Sequence, residues 1–169
     1  ALMLSAQARG HRLFHYAAED LNWSDGRLWA KAHPVTVQRV VSDHFRFAEP
    51  VSLDLGAETD VVLMRQDPPF DLGYITATHL LERISDRTLV VNDPKSVRDA
   101  PEKVWVLDFA RFMPPTLVTR SLDEARAFLK THGAIVVKPL HGNGGKAIFR
   151  VGEDGANLSS LIEIGRAHV

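Results

Sequence analysis

At 169 residues, with 45% hydrophobic and 24% charged residues, the chain has the length of one domain or two small ones and enough apolar surface to argue against disorder. Its 20 Lys and Arg nearly balance 21 Asp and Glu, giving a formal net charge of -1, which disfavours a nucleic-acid binder working by bulk positive charge and leaves a local basic patch open. The absence of cysteine excludes disulfides, thiolate zinc sites and a cysteine nucleophile; with no signal peptide and no apolar run near the roughly 20 residues of a bilayer span, the expectation is a cytoplasmic protein with no membrane and no nucleic-acid partner.

Ala1–Arg9 is made of strong helix formers, and Gly10 suits the residue that closes a helix. No N-cap precedes it, which suggests that an upstream segment has been cut off. His11–Tyr16 reads as a short strand. Asp25-Gly26 is a turn signal between Leu21-Asn22-Trp23 and Leu28-Trp29-Ala30, so a hairpin is expected there. Val35–Val41, rich in β-branched residues, reads as another strand. Asp60–Arg65 has the short apolar run of a buried parallel strand and ends at Pro68-Pro69. Asp71 is placed to cap a helix running through Tyr74, Ile75, Leu80, Leu81 and Ile84, and Thr88–Asn92 is a second buried strand. Strand, helix and strand in this order make a βαβ unit with a parallel pair.

The polar stretch flanked by Pro94 and Pro101 puts a boundary near residues 92–101. Beyond it a helix is expected over Glu102–Phe112, a strand over Thr116–Thr119, and a helix from the capping box Ser121-Leu-Asp-Glu124 to Gly133. Ala134–Lys138 and Ala147–Val151 read as strands joined by a glycine-rich loop. Ile164–Val169 has neither helix nor strand periodicity. It equals the in-frame translation of a common sequencing-library adapter (ATC GGA AGA GCA CAC GTC), so residues 164–169 are expected to be an adapter-derived tail.

The loop, His141-Gly-Asn-Gly-Gly-Lys146, is the most informative segment. Clustered glycines let backbone N–H groups approach phosphate oxygens, and a lysine adds charge. It is not a Walker loop, because Ala147 follows Lys146 and a strand, not a helix, comes next. The dinucleotide fingerprint fails for the same reason. An ordinary glycine-rich hairpin turn and a phosphate cradle both remain open. Lys138 ends an apolar strand and precedes Pro139, so it either carries a charge to the loop mouth or snorkels into solvent. Nothing local distinguishes Lys103 from a solvated helical lysine.

Four blocks then occur in order: Met64-Arg-Gln-Asp-Pro-Pro-Phe-Asp71, Val91-Asn-Asp-Pro-Lys-Ser-Val-Arg-Asp99, Pro115-Thr-Leu-Val-Thr-Arg120 and Val137-Lys-Pro-Leu-His-Gly-Asn-Gly-Gly145. Together they resemble the prokaryotic glutathione synthetase family of the ATP-grasp superfamily, from Ala1 to about Glu163. The resemblance implies ligation of γ-glutamylcysteine to glycine, driven by ATP with Mg²⁺ through an acyl phosphate, in a full-length enzyme that is a homo-oligomer. It also implies an α/β fold. Residues 1–100 would form a Rossmann-like parallel-sheet pre-ATP-grasp domain lacking its first strand, and residues 101–163 the first part of an ATP-grasp α+β domain.

By the same resemblance Lys103 and Lys138 match the two lysines that contact ATP phosphates. Gly142, Asn143, Gly144 and Gly145 match a mobile loop that covers them and excludes water from the acyl phosphate. Arg65 and Asp67 lie at the carboxyl end of a parallel strand, the usual ligand side of an open α/β sheet. Arg65 could pair there with a substrate carboxylate; alternatively Asp67-Pro-Pro merely stops the strand. No histidine spacing suggests a metal site. The family's adenine pocket, further arginines and magnesium ligands fall beyond Val151, so the chain by itself is expected to be inactive. Two alternatives stand beside this reading: another ATP-grasp carboxylate–amine ligase, and a non-catalytic nucleotide-binding module.

Overall fold

A computed structural model describes residues 1–142 and 144–167, with the side chains of Arg166 and Ala167 left aside. The chain divides into two compact units, Ala1–Asp99 and Ala100–Val169.

In the first unit, helix α1 (Leu2–Ala8) is followed by Gly10 at φ +85°, a left-handed conformation that glycine adopts without a Cβ penalty. Then come β1 (Phe14–His15), a 3₁₀ turn (Ala18–Asp20), β2 (Leu21–Ser24), β3 (Arg27–Val37), β4 (Phe45–Phe47) and β5 (Val51–Asp54). The β2–β3 hairpin turns at Asp25 and Gly26, both with positive φ, as the Asp-Gly pair predicts. Long β3 is the spine of an antiparallel sheet: β2 and β5 both pair with Trp29 and Ala30, hence from opposite sides.

The expected separate strand over Val35–Val41 is corrected by this arrangement. Val35–Val37 continue β3 through Pro34, while Val40 and Val41 lie outside any strand. Proline is tolerated because its missing N–H is covered locally. The Ala48 carbonyl, which faces that position, meets His33 Nδ1 at 3.0 Å, and the Ala48 N–H still donates to the Pro34 carbonyl at 2.9 Å. Strands β4 and β5 are only three and four residues long, and β4 is exposed throughout, so neither carries a sequence signal of its own.

The expected βαβ unit is present as β6 (Val61–Leu63), α2 (Leu72–Glu82) and β7 (Leu89–Val91), with β6 and β7 parallel and Val62 opposite Val90. Among the described residues, parallel pairing is confined to these two strands. They are buried on one face only: Val62, Met64 and Val90 enter the core, whereas Val61, Leu63 and Leu89 are exposed. Asp71 caps α2 by accepting the Tyr74 N–H at 2.9 Å. Helix α3 (Pro94–Asp99) is tied to α2 through Arg98, which pairs with Glu82 at 2.6 Å and donates to Thr78 Oγ1 at 3.3 Å. Core residues Leu28, Leu53, Leu55, Leu81 and Ile84 join both sheets of this unit into one cluster.

The second unit starts with α4 (Glu102–Trp105), which passes into a 3₁₀ segment at Val106–Phe112. One continuous helix over Glu102–Phe112 is therefore not formed. Phe109 takes non-helical angles in a stretch of β-branched and aromatic residues that packs little of its surface, so weak propensity is not overridden. Thr116–Thr119 is not a strand either. Its hydroxyls serve local bonds: Thr116 donates to the Pro114 carbonyl, and Thr119 donates to Glu124 while accepting the Ser121 N–H. Helix α5 (Leu122–His132) begins where the capping box predicts, with Ser121 Oγ accepting the Glu124 N–H at 3.4 Å, and ends at Gly133 with φ +73°.

Strands β8 (Ile135–Val137) and β9 (Phe149–Val151) pair antiparallel, Ile135 opposite Val151. Helix α6 (Leu158–Ala167) lays Leu158 on Ala125, Leu129 and Val151. It includes Ile164–Ala167, where the sequence carries no periodicity, since a helix already anchored by Leu158, Leu161 and Ile162 extends at little nucleation cost. The last two residues, His168 and Val169, lie outside the described residues.

Candidate functional site

The β8–β9 hairpin presents the glycine loop. Ile135, Val137 and Val151 turn inward toward α5 and α6, so the alternate positions face outward. Lys138 directly follows β8 and is exposed, with Val136 before it 57% exposed. The two readings of Lys138 are thereby narrowed: its stem is not sunk in a buried sheet, and its charge is open to solvent. Gly144 and Gly145 have φ of +62° and +73°, which L residues rarely adopt, and open space lies where their side chains would be. Asn143, also named from the sequence, lies outside the described residues.

Lys103, indistinct in the sequence, acquires a specific position. Its ammonium donates to the carbonyl of Pro139 at 2.7 Å and to that of Gly142 at 2.6 Å. A cation on α4 is thus hydrogen-bonded to the entrance of the loop, next in chain to Lys138. A Cβ at Gly142 would come within 3.2 Å of Pro139 Cγ and 3.8 Å of Lys103 Nζ, so the approach is close. Charged donors make hydrogen bonds about twice as strong as neutral ones, and this pair holds the loop entrance against α4. Among the described residues, neither Lys103 nor Lys138 is paired with a carboxylate. The Lys138 charge is open to an anion, whereas that of Lys103 is engaged by the two carbonyls.

Arg65 and Asp67 follow β6 within the first unit, and both are exposed. Among the described residues neither makes an ion pair or side-chain hydrogen bond, so both alternatives for them stay open. At the end of β7, Asp93 accepts the Ser96 N–H at 2.7 Å, and hydrogen bonding from Ser96 holds its carboxyl below the usual range. A shallow open groove of about 540 Å³, lined by residues such as Asn22, Trp29, Lys31 and Ser52, contains none of the candidate residues. Its size does not make it the site, since it gathers no converging charges.

Two ammonium groups and a run of glycine backbone suit a polyphosphate, whose oxygens take charged and N–H donors alike. They do not suit a metal ion. No group of three or more His, Asp or Glu among the described residues is placed to hold one.

The model of the prokaryotic glutathione synthetase N-terminal domain matches residues 1–98, and that of the prokaryotic glutathione synthetase ATP-grasp domain matches residues 102–168. The chain belongs to this family. It is 49% identical over 164 residues to the glutathione synthetase of Agrobacterium fabrum, with 97% of the chain and 51% of the relative covered. It is 53% identical over 164 residues to that of Bradyrhizobium diazoefficiens (97% and 52% covered), and 43% identical to that of Shewanella oneidensis (96% and 52% covered). The chain spans about half the length of the curated relatives it matches. Family membership gives the Lys103 contacts their interest. What sequence reasoning missed was the pair of carbonyls at Pro139 and Gly142: main-chain acceptors leave no mark in a sequence, and only the proline-glycine spacing hints at an unusual loop path.

Proposed function

We propose that these residues belong to an ATP-dependent ligase that joins γ-glutamylcysteine to glycine. In this reading residues 1–100 form a Rossmann-like pre-ATP-grasp domain and residues 101–163 the first part of the ATP-grasp domain. The observation that carries the proposal is Lys103, bonded to the loop entrance beside Lys138 in a chain of this family. Bound ATP would supply a phosphoryl group to the γ-glutamylcysteine carboxylate, releasing ADP; the glycine amine would then attack the activated carbonyl carbon, losing a proton as phosphate leaves.

The chain's own residues have these parts. Lys103 exchanges its two carbonyl acceptors for phosphate oxygens, and Lys138 offsets the charge that develops on the phosphoryl group. Gly142, Asn143, Gly144 and Gly145 bring backbone N–H groups over the phosphates and keep water from the activated carboxyl. Arg65 and Asp67 bind the substrate, Arg65 through a carboxylate. The magnesium ligands are assigned to the remainder of the full-length enzyme, which works as a homo-oligomer in the cytoplasm. Among the described residues no helix is long and apolar enough to cross a membrane.

The test is ADP release by the protein at the full length of its relatives. Release that needs both γ-glutamylcysteine and glycine supports the assignment. Release only with a different carboxylate would make it another ATP-grasp ligase, and no release with nucleotide still bound would make it a non-catalytic module.

A further inference from the structure

The open face of the β8–β9 hairpin carries a second cation that neither the family blocks nor the glycine loop points to. Register settles its place. Val137 pairs with Phe149 and Val136 with Arg150, so Arg150 stands on the same outward face as Val136 and, by alternation, as Lys138 and Ile148. Val151, the next residue, is buried in the core, which fixes the phase of the strand. Lys138 and Arg150 are diagonal neighbours across the hairpin, roughly 7–8 Å apart between backbones in such a ladder. Both are exposed, and among the described residues neither has a carboxylate partner.

Two like charges so placed repel each other, and the sheet provides no anion to offset them. By contrast, Arg27 of β3 is paired with Asp54, and Arg126 of α5 with Asp123. Arginine also differs from lysine in presenting a planar fork of donors that matches phosphate oxygens two at a time.

We infer that Arg150 is a further polyphosphate-binding residue, holding one phosphate group of a nucleotide on the open hairpin face while Lys138 and the loop hold its neighbours. This rests on the nucleotide-binding reading above and adds a contact from the strand that follows the loop. It also gives that loop two fixed cationic flanks: Lys138 before it and Arg150 after it.

The test uses the 169-residue chain with inorganic tripolyphosphate as the probe, titrated calorimetrically over a range of salt concentrations. Arg150→Gln is expected to weaken binding about tenfold and to lower the salt-dependence slope by about one, the mark of one lost ion contact. Arg150→Lys should recover part of the affinity, and Arg9→Gln, removing an equal charge from α1's end, should change nothing. Circular dichroism of each variant verifies that the fold is kept. Unchanged binding by Arg150→Gln alongside weakened binding by Lys138→Gln overturns the assignment of Arg150. So does an equal loss in Arg9→Gln, which would reduce the effect to net charge, and so does failure of the unsubstituted chain to bind tripolyphosphate. Competition with ATP separates this proposal from the one beneath it: binding that needs Arg150 but is not displaced by ATP leaves the anion site standing and removes the nucleotide reading.

Discussion

The two units bury their side chains on different scales. Among the described residues, Ala1–Asp99 gathers ten buried apolar residues from two sheets and α2 into one cluster, whereas Ala100–Val169 gathers four. The second unit also leaves Trp105, Phe109 and Phe112 largely exposed on its first helical stretch. Yet it is this thinner unit that carries Lys103, Lys138 and the glycine loop. With so small a core, the loop is ordered by a few tethers more than by deep burial. Lys103, bonded to Pro139 and Gly142, is such a tether.

The comparison breaks first on core substitutions. Leu28→Ala, at a fully buried position, should cost about 2–5 kcal/mol in urea unfolding followed by circular dichroism, and Leu129→Ala should fall at the lower end of that range. A larger cost at Leu129 would reverse the ranking of the two cores. Lys138→Ala should then separate stability from chemistry. In the full-length enzyme it should lower ATP-dependent turnover about 100-fold or more while leaving the melting temperature in place, because the side chain is exposed. A fall in melting temperature would give Lys138 a structural part instead.

Alkaline pH should act on the first unit through Tyr16. Burial raises the Tyr16 hydroxyl from 10.0 to about 12, so between those values the folded state keeps a proton that the unfolded chain has lost. The contribution is present in full below pH 10 and declines as pH rises toward 12, by up to about 3 kcal/mol. Fluorescence of Trp23 and Trp29 should report this loss, and Tyr16→Phe should abolish it; a slope that survives the substitution would exclude Tyr16 as its source. The smallest effect is expected from Lys103→Met, about 1 kcal/mol for two partly exposed charged hydrogen bonds. Its sign is faster proteolysis within residues 139–147, and an unchanged cleavage rate would deny the tether.

Turns and caps were legible wherever one residue type satisfies one backbone requirement. Asp25-Gly26 marks a hairpin because both positions need positive φ, and Asp71 and Ser121 mark helix starts because their oxygens accept free N–H groups. Strands were harder. Val35–Val41 and Thr116–Thr119 have similar β-branched composition, but only Val35–Val37 finds partners, Phe45–Phe47. Strand propensity measures fit to a neighbour, and the neighbour is not local. The candidate site divides in the same way: Lys138 and the glycines stood out, while Lys103 and Arg150 did not.

The strand–helix–strand pattern and the four ordered blocks determined by themselves that the chain is an α/β protein with a glycine loop between two strands and a family resemblance along nearly all of it. Tertiary structure alone decided that Lys103 reaches the carbonyls of Pro139 and Gly142, that Lys138 is open to solvent, and that Arg150 shares its face. The reason is physical: caps and turns are settled within four residues of chain, whereas the surroundings of a charge depend on elements more than 30 residues apart, as Lys103 and Pro139 are, with |i−j| = 36.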